Sequence, residues 1–527
     1  MKRLFSRLSA SLPRVSRSLR NPPIPNEMPS TKSTKRHEKL ILFSCPFVPF
    51  VDPKKTPMKK LLLTLLTTFA VSAFGEIDRT KKPEPAPAPA ASFPDYKTEI
   101  LPNGLKVFII EDDRKPTVTF RLVIRSGSIF DGAKPGTADF VADLLNRGTA
   151  KRDAATFALE TDSIGVAIES DAGPDSISVS AAGLTKYTGK ILDLFSDAIF
   201  HAAFPAEQFA KLQRQTLSAL EEEKQQPAKL VAKLTGKVLY GEHPYGAYLT
   251  PAAVQALTRD DLVAFHRAHF IANNATLAIV GDVKAAEILA EVQRVFGVWE
   301  KGSLPEIKKV LLPPKLQGVT IHLLDRPGSV QSSIVIAQPG PARANPDTPE
   351  LNVLNATIGG GFSGRLFQNL REKHGWTYGA YSAFGMQKYG GVFQASAETR
   401  NEVTAPAIVE TLKEIARLSD EPVPEPEIAL QRQYNVGNYL LSLESSARTA
   451  QRVQDIDLYG LPADFYKTYA RRMSETTPAQ VQALAKKHLS TTDLAIIVVG
   501  EAKDVQPALE KIGKVIVYDQ DLQPVAK

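Results

Sequence analysis

One pattern occurs twice in this chain of 527 residues, and the repeat limits the fold more than any other feature. The first copy opens with GLKVFIIEDD (Gly104–Asp113), followed by an apolar-rich stretch at Thr117–Arg125. The second opens with GVTIHLLDRPG (Gly318–Gly328), followed by Ser332–Gln338. Their closing segments match as well: HFIANNATLAIVGDV (His269–Val283) and HLSTTDLAIIVVGEA (His488–Ala502). Each reads as a helix end, a turn and an apolar strand that finishes in glycine and an acid. Gly318 lies 214 residues after Gly104, and Gly500 lies 219 after Gly281, so the offset is nearly constant. Such an offset predicts a duplicated domain.

Between those ends each half reads as helices with a few strands. Pro205–Gln226 is a predicted helix, with Phe209, Leu212, Leu217 and Leu220 near one face and Pro205 in the first turn. Tyr381–Gln387 and Val392–Glu398 alternate around Tyr389-Gly390-Gly391, the pattern of a β-hairpin. Locally paired strands with helices grouped between them predict an α+β fold rather than a doubly wound parallel sheet. The expected domains are 96–300 and 318–527, joined by a Lys- and Pro-rich linker at 301–317.

The formal net charge of +7 hints at an acidic partner, but it is unevenly spread. Residues 1–75 hold 14 Lys/Arg against three acids, a surplus of +11, which leaves −4 for the remainder. The basic character therefore belongs to the leader and gives no support for a nucleic-acid partner. From Met58 the leader has the form of a secretion signal. Lys59 and Lys60 precede an apolar run at Leu61 to Ala70, and Ala73-Phe74-Gly75 offers small residues for cleavage. That run is too short to span a bilayer, so no stable membrane insertion is expected. Residues 58–75 are thus expected to be a signal peptide for periplasmic or secreted localisation, and 1–57 an upstream extension outside the native protein. The alternative is an organellar transit peptide, since Met1 to Arg20 carries six Lys/Arg, five Ser and no acid. The single cysteine, Cys45, lies in this leader, so the mature chain would have no disulfide and no thiolate metal site. Residues 76–95, which include KKPEPAPAPAASFP, are expected to be an extended, mobile Pro/Ala tether.

The segment GGGFSGRLFQNLREKHGWTYGAYS (Gly359–Ser382) holds the most information. Gly359, Gly361 and Gly364 satisfy G-x-G-x-x-G, but the preceding Leu351–Ile358 reads as helix where a dinucleotide site needs a strand. A phosphate loop fails too, because Arg365-Leu366 stands where Lys-Ser/Thr is required. The glycines read as a corner where backbone segments pass closely. Leu366 and Leu370 then mark a helix that Gly375 stops.

This segment closely resembles the C-terminal-domain motif of the insulinase/pitrilysin family of zinc peptidases. The resemblance extends from about Tyr96 to the end of the chain. It takes in NGLKVFI, the HPYG loop (His243–Gly246), LTRDDLVAFHRAHF, Val280-Gly281-Asp282 and Phe296-Gly297-Val298-Trp299. It implies two homologous α+β domains, each an antiparallel-rich sheet packed with helices, that together form half of a clam shell around a peptide.

Catalysis in that family uses H-x-x-E-H on a helix of the first domain. Two histidines hold zinc, the glutamate activates the bound water, and a glutamate on a later helix completes the ligands. Here the matching stretch is GTADFVADLLNRGT (Gly136–Thr149), which sets Asp139, Ala142 and Asp143 at the three motif positions. Ala142 cannot take a proton, and two carboxylates suit Mg²⁺ or Ca²⁺ better than tetrahedral zinc. Glu221–Glu223 fall near the third-ligand position and read otherwise as an acidic helix face beside Lys224. His266 and His269 read as a structural helix end and His243 as a turn residue. This chain is therefore expected to bind no metal and to be inactive alone.

The second-domain pair of the family is intact. An Arg and a Tyr seven residues later, Arg371 and Tyr378 here, are implied to reach the chamber. There they would donate hydrogen bonds to a peptide carbonyl and its oxyanion. The resemblance implies a non-catalytic subunit whose partner is a homologous H-x-x-E-H chain carrying Zn²⁺, the two acting on peptides or unfolded proteins. Two alternatives stand beside it: a homodimeric peptide-binding clam shell without proteolysis, and the non-catalytic subunit of a mitochondrial processing peptidase.

Overall fold

The computed structural model describes residues 92–307, 314 and 316–525. The upstream extension, the signal peptide, Cys45 and most of the tether lie outside the described residues, as does the middle of the linker. The tether stops earlier than expected. Phe93 is only 2% exposed and packs on Tyr466 at 5.5 Å between ring centroids, while Asp95 pairs with Lys467 at 2.7 Å. An aromatic side chain of that size is held by the core even where its neighbours are Pro and Ala.

The first sheet contains β1 (Lys97–Ile100), β2 (Lys106–Glu111), β3 (Thr117–Ile124), β4 (Ala167–Ala172), β5 (Ile177–Leu184) and β6 (Ala275–Gly281), in the order β1-β2-β6-β3-β5-β4. The second contains β7 (Val319–Asp325), β8 (Gln331–Gly340), β9 (Ala380–Gln387), β10 (Gly390–Arg400), β11 (Leu494–Gly500) and β12 (Lys514–Tyr518), in the order β12-β7-β11-β8-β10-β9. Five strands of each sheet superimpose in order, and most neighbours are antiparallel, so the duplication and the α+β class both hold. The sixth strand differs. β1 precedes its sheet and pairs antiparallel with β2, whereas β12 follows a helix and pairs parallel with β7.

β6 (ATLAIVG) and β11 (LAIIVVG) are buried along their whole length, which accounts for their unbroken apolar runs. One face of each sheet meets helices of its own half. In the first half Val107, Ile109, Leu277 and Ile279 pack with Phe140, Phe195 and Phe296. The opposite faces are covered by exchange. Leu230, Val231 and Leu234, on helix Pro227–Tyr240 of the first half, pack on Val335, Ala337, Ile497 and Val499 of the second sheet. Reciprocally, Ala450 and Val453 on helix Ser446–Tyr459 join the cluster containing Phe108, Ile110, Ala278 and Val280 of the first sheet.

Polar groups fix that exchange. Gln454, fully buried, donates to the carbonyls of Arg121 (2.9 Å) and Thr276 (3.0 Å) and accepts from the Arg121 guanidinium (2.7 Å). Asp457 pairs with Lys106 (2.5 Å) and Arg125 (3.1 Å). The HPYG loop closes a second contact. The Tyr245 hydroxyl donates to Asp175 at the β4–β5 turn, and the Lys388 amide at the β9–β10 turn donates to the same carboxylate at 2.9 Å. His243 is a turn residue, its Nδ1 accepting from the Tyr245 amide at 3.0 Å. Among the described residues no helix is long and apolar enough to cross a membrane.

Candidate functional site

Helix Thr137–Leu144 begins where Asp131 caps it, accepting from the amides of Gly136 (2.8 Å) and Ala138 (2.9 Å). Burial pushes the Asp131 carboxyl up to about 7 despite those bonds. The capping role of Asp131 was not read from sequence, because the N-cap position itself is Gly136 and the acid lies five residues ahead of it. Phe140, Val141 and Leu144 face the core, which leaves Asp139 and Asp143 open to solvent on the other side. Solvent reaches both, yet enough protein surrounds them that both carboxyls are pushed up. Asp139 rises to about 6, through burial first and then repulsion from Asp143 and Asp171. Asp143 rises for the same leading reason, opposed by Arg147. Ala142 is 1% exposed, and its carbonyl accepts from Ser170 at 2.6 Å.

Zinc does not fit these residues. Two acids stand at the histidine positions, and a buried methyl stands where the base is needed. The histidines nearest in motif terms are engaged elsewhere: His266 Nε2 with the Ile199 carbonyl (2.8 Å) and His269 Nδ1 with the Ser126 hydroxyl (2.9 Å). Burial pushes both down to about 4, as expected of neutral core histidines. Glu221 and Glu223, at the end of helix Ala206–Glu223, pair with Lys224 (3.5 Å) and Lys233 (2.5 Å), so they serve the helix end. Pro205 is the cap of that helix rather than a first-turn residue. Among the described residues no three His, Cys, Asp or Glu side chains are grouped to hold a metal ion.

The glycine-rich corner follows helix Thr348–Ile358. A Cβ on Gly364 would lie 2.9 Å from the Gly359 Cα, so the loop folds back on itself more tightly than any side chain permits. Arg365 is locked to Glu427 by two hydrogen bonds of 2.7 and 3.0 Å. The expected helix after it is wound as a π-helix, Phe367–Lys373, a form that recurs at functional sites. Gly375 then adopts φ 64° and turns the chain towards β9. The β9–β10 turn falls on Lys388-Tyr389, one residue ahead of the expected Tyr389-Gly390-Gly391.

Arg371 leaves the last turn of the π-helix, and its guanidinium lies 5.2 Å from the centre of the Tyr378 ring. Tyr378 is 85% exposed, the most open of the large apolar side chains described. The loop beneath it is rigid: buried Thr377 donates to the Gly379 carbonyl (2.7 Å) and accepts from its amide (3.1 Å). The ring is thus exposed on a pinned loop with a cation over its face, and the Arg371 guanidinium also donates to the Thr377 carbonyl at 3.4 Å. Beside it, Phe362, Phe367 and Tyr381 form an aromatic group with centroids 5.1 to 6.4 Å apart, which was not read from sequence. The acids on helix Thr137–Leu144 and the Arg371–Tyr378 pair belong to different sheets, and no described bond or ring contact joins them.

Two models of one family match consecutive parts of the chain: insulinase (peptidase family M16) at 106–251, and the peptidase M16 inactive domain at 256–435. The chain belongs to the M16 family. The second match contains both Arg371 and Tyr378. An uncharacterized zinc protease of Rickettsia bellii is 26% identical to this M16 chain over 363 residues, covering 68% of it and 86% of the relative. A crystal structure of a peptidase M16 inactive domain from Pseudomonas fluorescens is 29% identical, with a TM-score of 0.72 over 77% of this chain and 98% of that one. A protease from Helicobacter pylori shares the fold at 18% identity, with a TM-score of 0.72 and 77% and 99% coverage.

Proposed function

We propose that this M16 chain is the non-catalytic subunit of a secreted two-chain peptidase, supplying Arg371 and Tyr378 to a homologous partner that carries H-x-x-E-H and Zn²⁺. The observation that carries this reading is the exposed, preorganised Arg371–Tyr378 pair in a chain whose motif helix presents Asp139, Ala142 and Asp143. A guanidinium and a phenol both donate to oxygen, and neither gains or loses a proton when the substrate carbonyl becomes an oxyanion. Held in place beforehand, they favour the transition state over the ground state. The substrates are peptides or small unfolded proteins, and the complex works in the periplasm or outside the cell, delivered by the signal that starts at Met58.

Affinity purification from the periplasmic fraction of the native source, followed by mass spectrometry and zinc analysis, tests this reading. A homologous H-x-x-E-H chain in equal amount, with zinc following that chain, is expected, as is a mature terminus near Glu76. A lone homodimer would overturn the reading and favour a peptide-binding clam shell. A terminus set by cleavage near residue 20 would point to an organellar processing subunit instead.

A further inference from the structure

A groove of about 600 Å³ runs beside Tyr378, between helix Pro227–Tyr240 and the β10 side of the second sheet, which that helix leaves uncovered. Its walls are neutral except at one place. Val231 and Thr235, one turn apart on the helix, form one wall, and Gln394, Ser396 and Glu398, alternate residues of β10, form the floor. Glu398 is the single charged residue lining the groove among the described residues. Its carboxylate accepts one hydrogen bond, from the Ser333 hydroxyl across the strand pair at 3.2 Å, and no described Lys, Arg or His pairs with it.

We infer that this groove binds the side chain of a lysine or arginine in the peptide, with Glu398 as the residue that selects it. The inference rests on the peptide-binding reading of Arg371 and Tyr378. An apolar side chain in the groove would strip water from Glu398 and return nothing, and an acidic one would be repelled. A long aliphatic stem ending in a cation satisfies both the Val231 wall and the carboxylate. Tyr381, which faces Ser396 across the β9–β10 pair, adds a ring beside the path of that cation. The register also places the selected residue. Ala380 pairs with Ala397, so one residue past the last pair Gly379, next to Tyr378, falls opposite Glu398. The basic side chain therefore belongs about one or two residues from the peptide bond that Tyr378 addresses.

Fluorescence anisotropy on the full chain, with labelled peptides that differ only by Lys or norleucine at one position, tests the inference. The Lys peptide is expected to bind about three- to tenfold tighter at low salt. That advantage disappears in Glu398→Gln, and Glu398→Lys prefers a Glu peptide over the Lys peptide. Equal binding of the two peptides, or an advantage that survives Glu398→Gln, overturns the assignment of Glu398. If Arg371→Ala still weakens both peptides alike in that case, the pair's role stands without it. Failure of the chain to bind either peptide removes the peptide-binding reading and this inference together.

Discussion

Arg371 and Tyr378 add little to the scaffold that carries them, Arg371 giving it one long hydrogen bond to the Thr377 carbonyl at 3.4 Å. Thr377 and Gly375 set the loop, and the buried Leu370 anchors the π-helix. Arg371→Ala and Tyr378→Phe should therefore leave the thermal midpoint within a degree or two, as exposed substitutions do. Circular dichroism melts check this; a large loss would mean the pair is a packing element. The acids are a different case. Asp139 is raised to about 6, by burial and by Asp143 and Asp171, so its ionisation opposes folding. The stability it contributes is present at low pH and is lost as pH rises through about 6. Asp139→Asn should raise the melting temperature at pH 8 and leave it nearly unchanged at pH 4. No change at pH 8 would contradict the placement of these carboxylates together. Arg371, Tyr378, Asp139 and Asp143 were legible in the sequence, because the motifs fix their spacing, whereas Asp171 and Thr377 were not. Asp131 and the aromatic group at Phe362 were not, since nothing in the sequence says that an acid five residues before Gly136 turns back to cap the helix.

At the scale of elements, strands and turns followed their patterns wherever alternation or glycine decides the outcome. β6 and β11 lie within the apolar runs that named them, and the hairpin shifted by a single residue. The π-helix could not be read, because the extra residue per turn leaves the spacing of Leu366 and Leu370 unchanged. The glycine corner was read as a close approach, and the structure gives it a cost. Gly364→Ala would place a methyl 2.9 Å from backbone at Gly359 and should destabilise the chain by about 1–3 kcal/mol, measured by urea unfolding. Phe93 escaped because composition outweighed it: one aromatic residue in a Pro/Ala stretch reads as tether. Phe93→Ala should cost about 3–5 kcal/mol in the same assay. A loss below about 1 kcal/mol would return that residue to the tether.

For the molecule as a whole, the repeat was visible in the sequence but the exchange of helices was not. An apolar stripe such as Leu230, Val231 and Leu234 shows that a helix is covered, not which sheet covers it. With Gln454 buried against Arg121 and Thr276, each half lacks a cover for one sheet face when alone. Either half expressed singly should fail to give a cooperative urea transition, whereas the full chain should unfold as one unit. Two independent transitions at separate midpoints would contradict the shared core. The central claim is chemical and concerns Arg371. Peptide turnover by the H-x-x-E-H homologue with and without this chain tests it most directly. The account predicts no turnover by this chain alone, turnover by the mixture, and a kcat lowered on the order of a hundredfold when the mixture contains Arg371→Ala. Chelator-sensitive cleavage by this chain alone, or an unchanged kcat with Arg371→Ala, would contradict it.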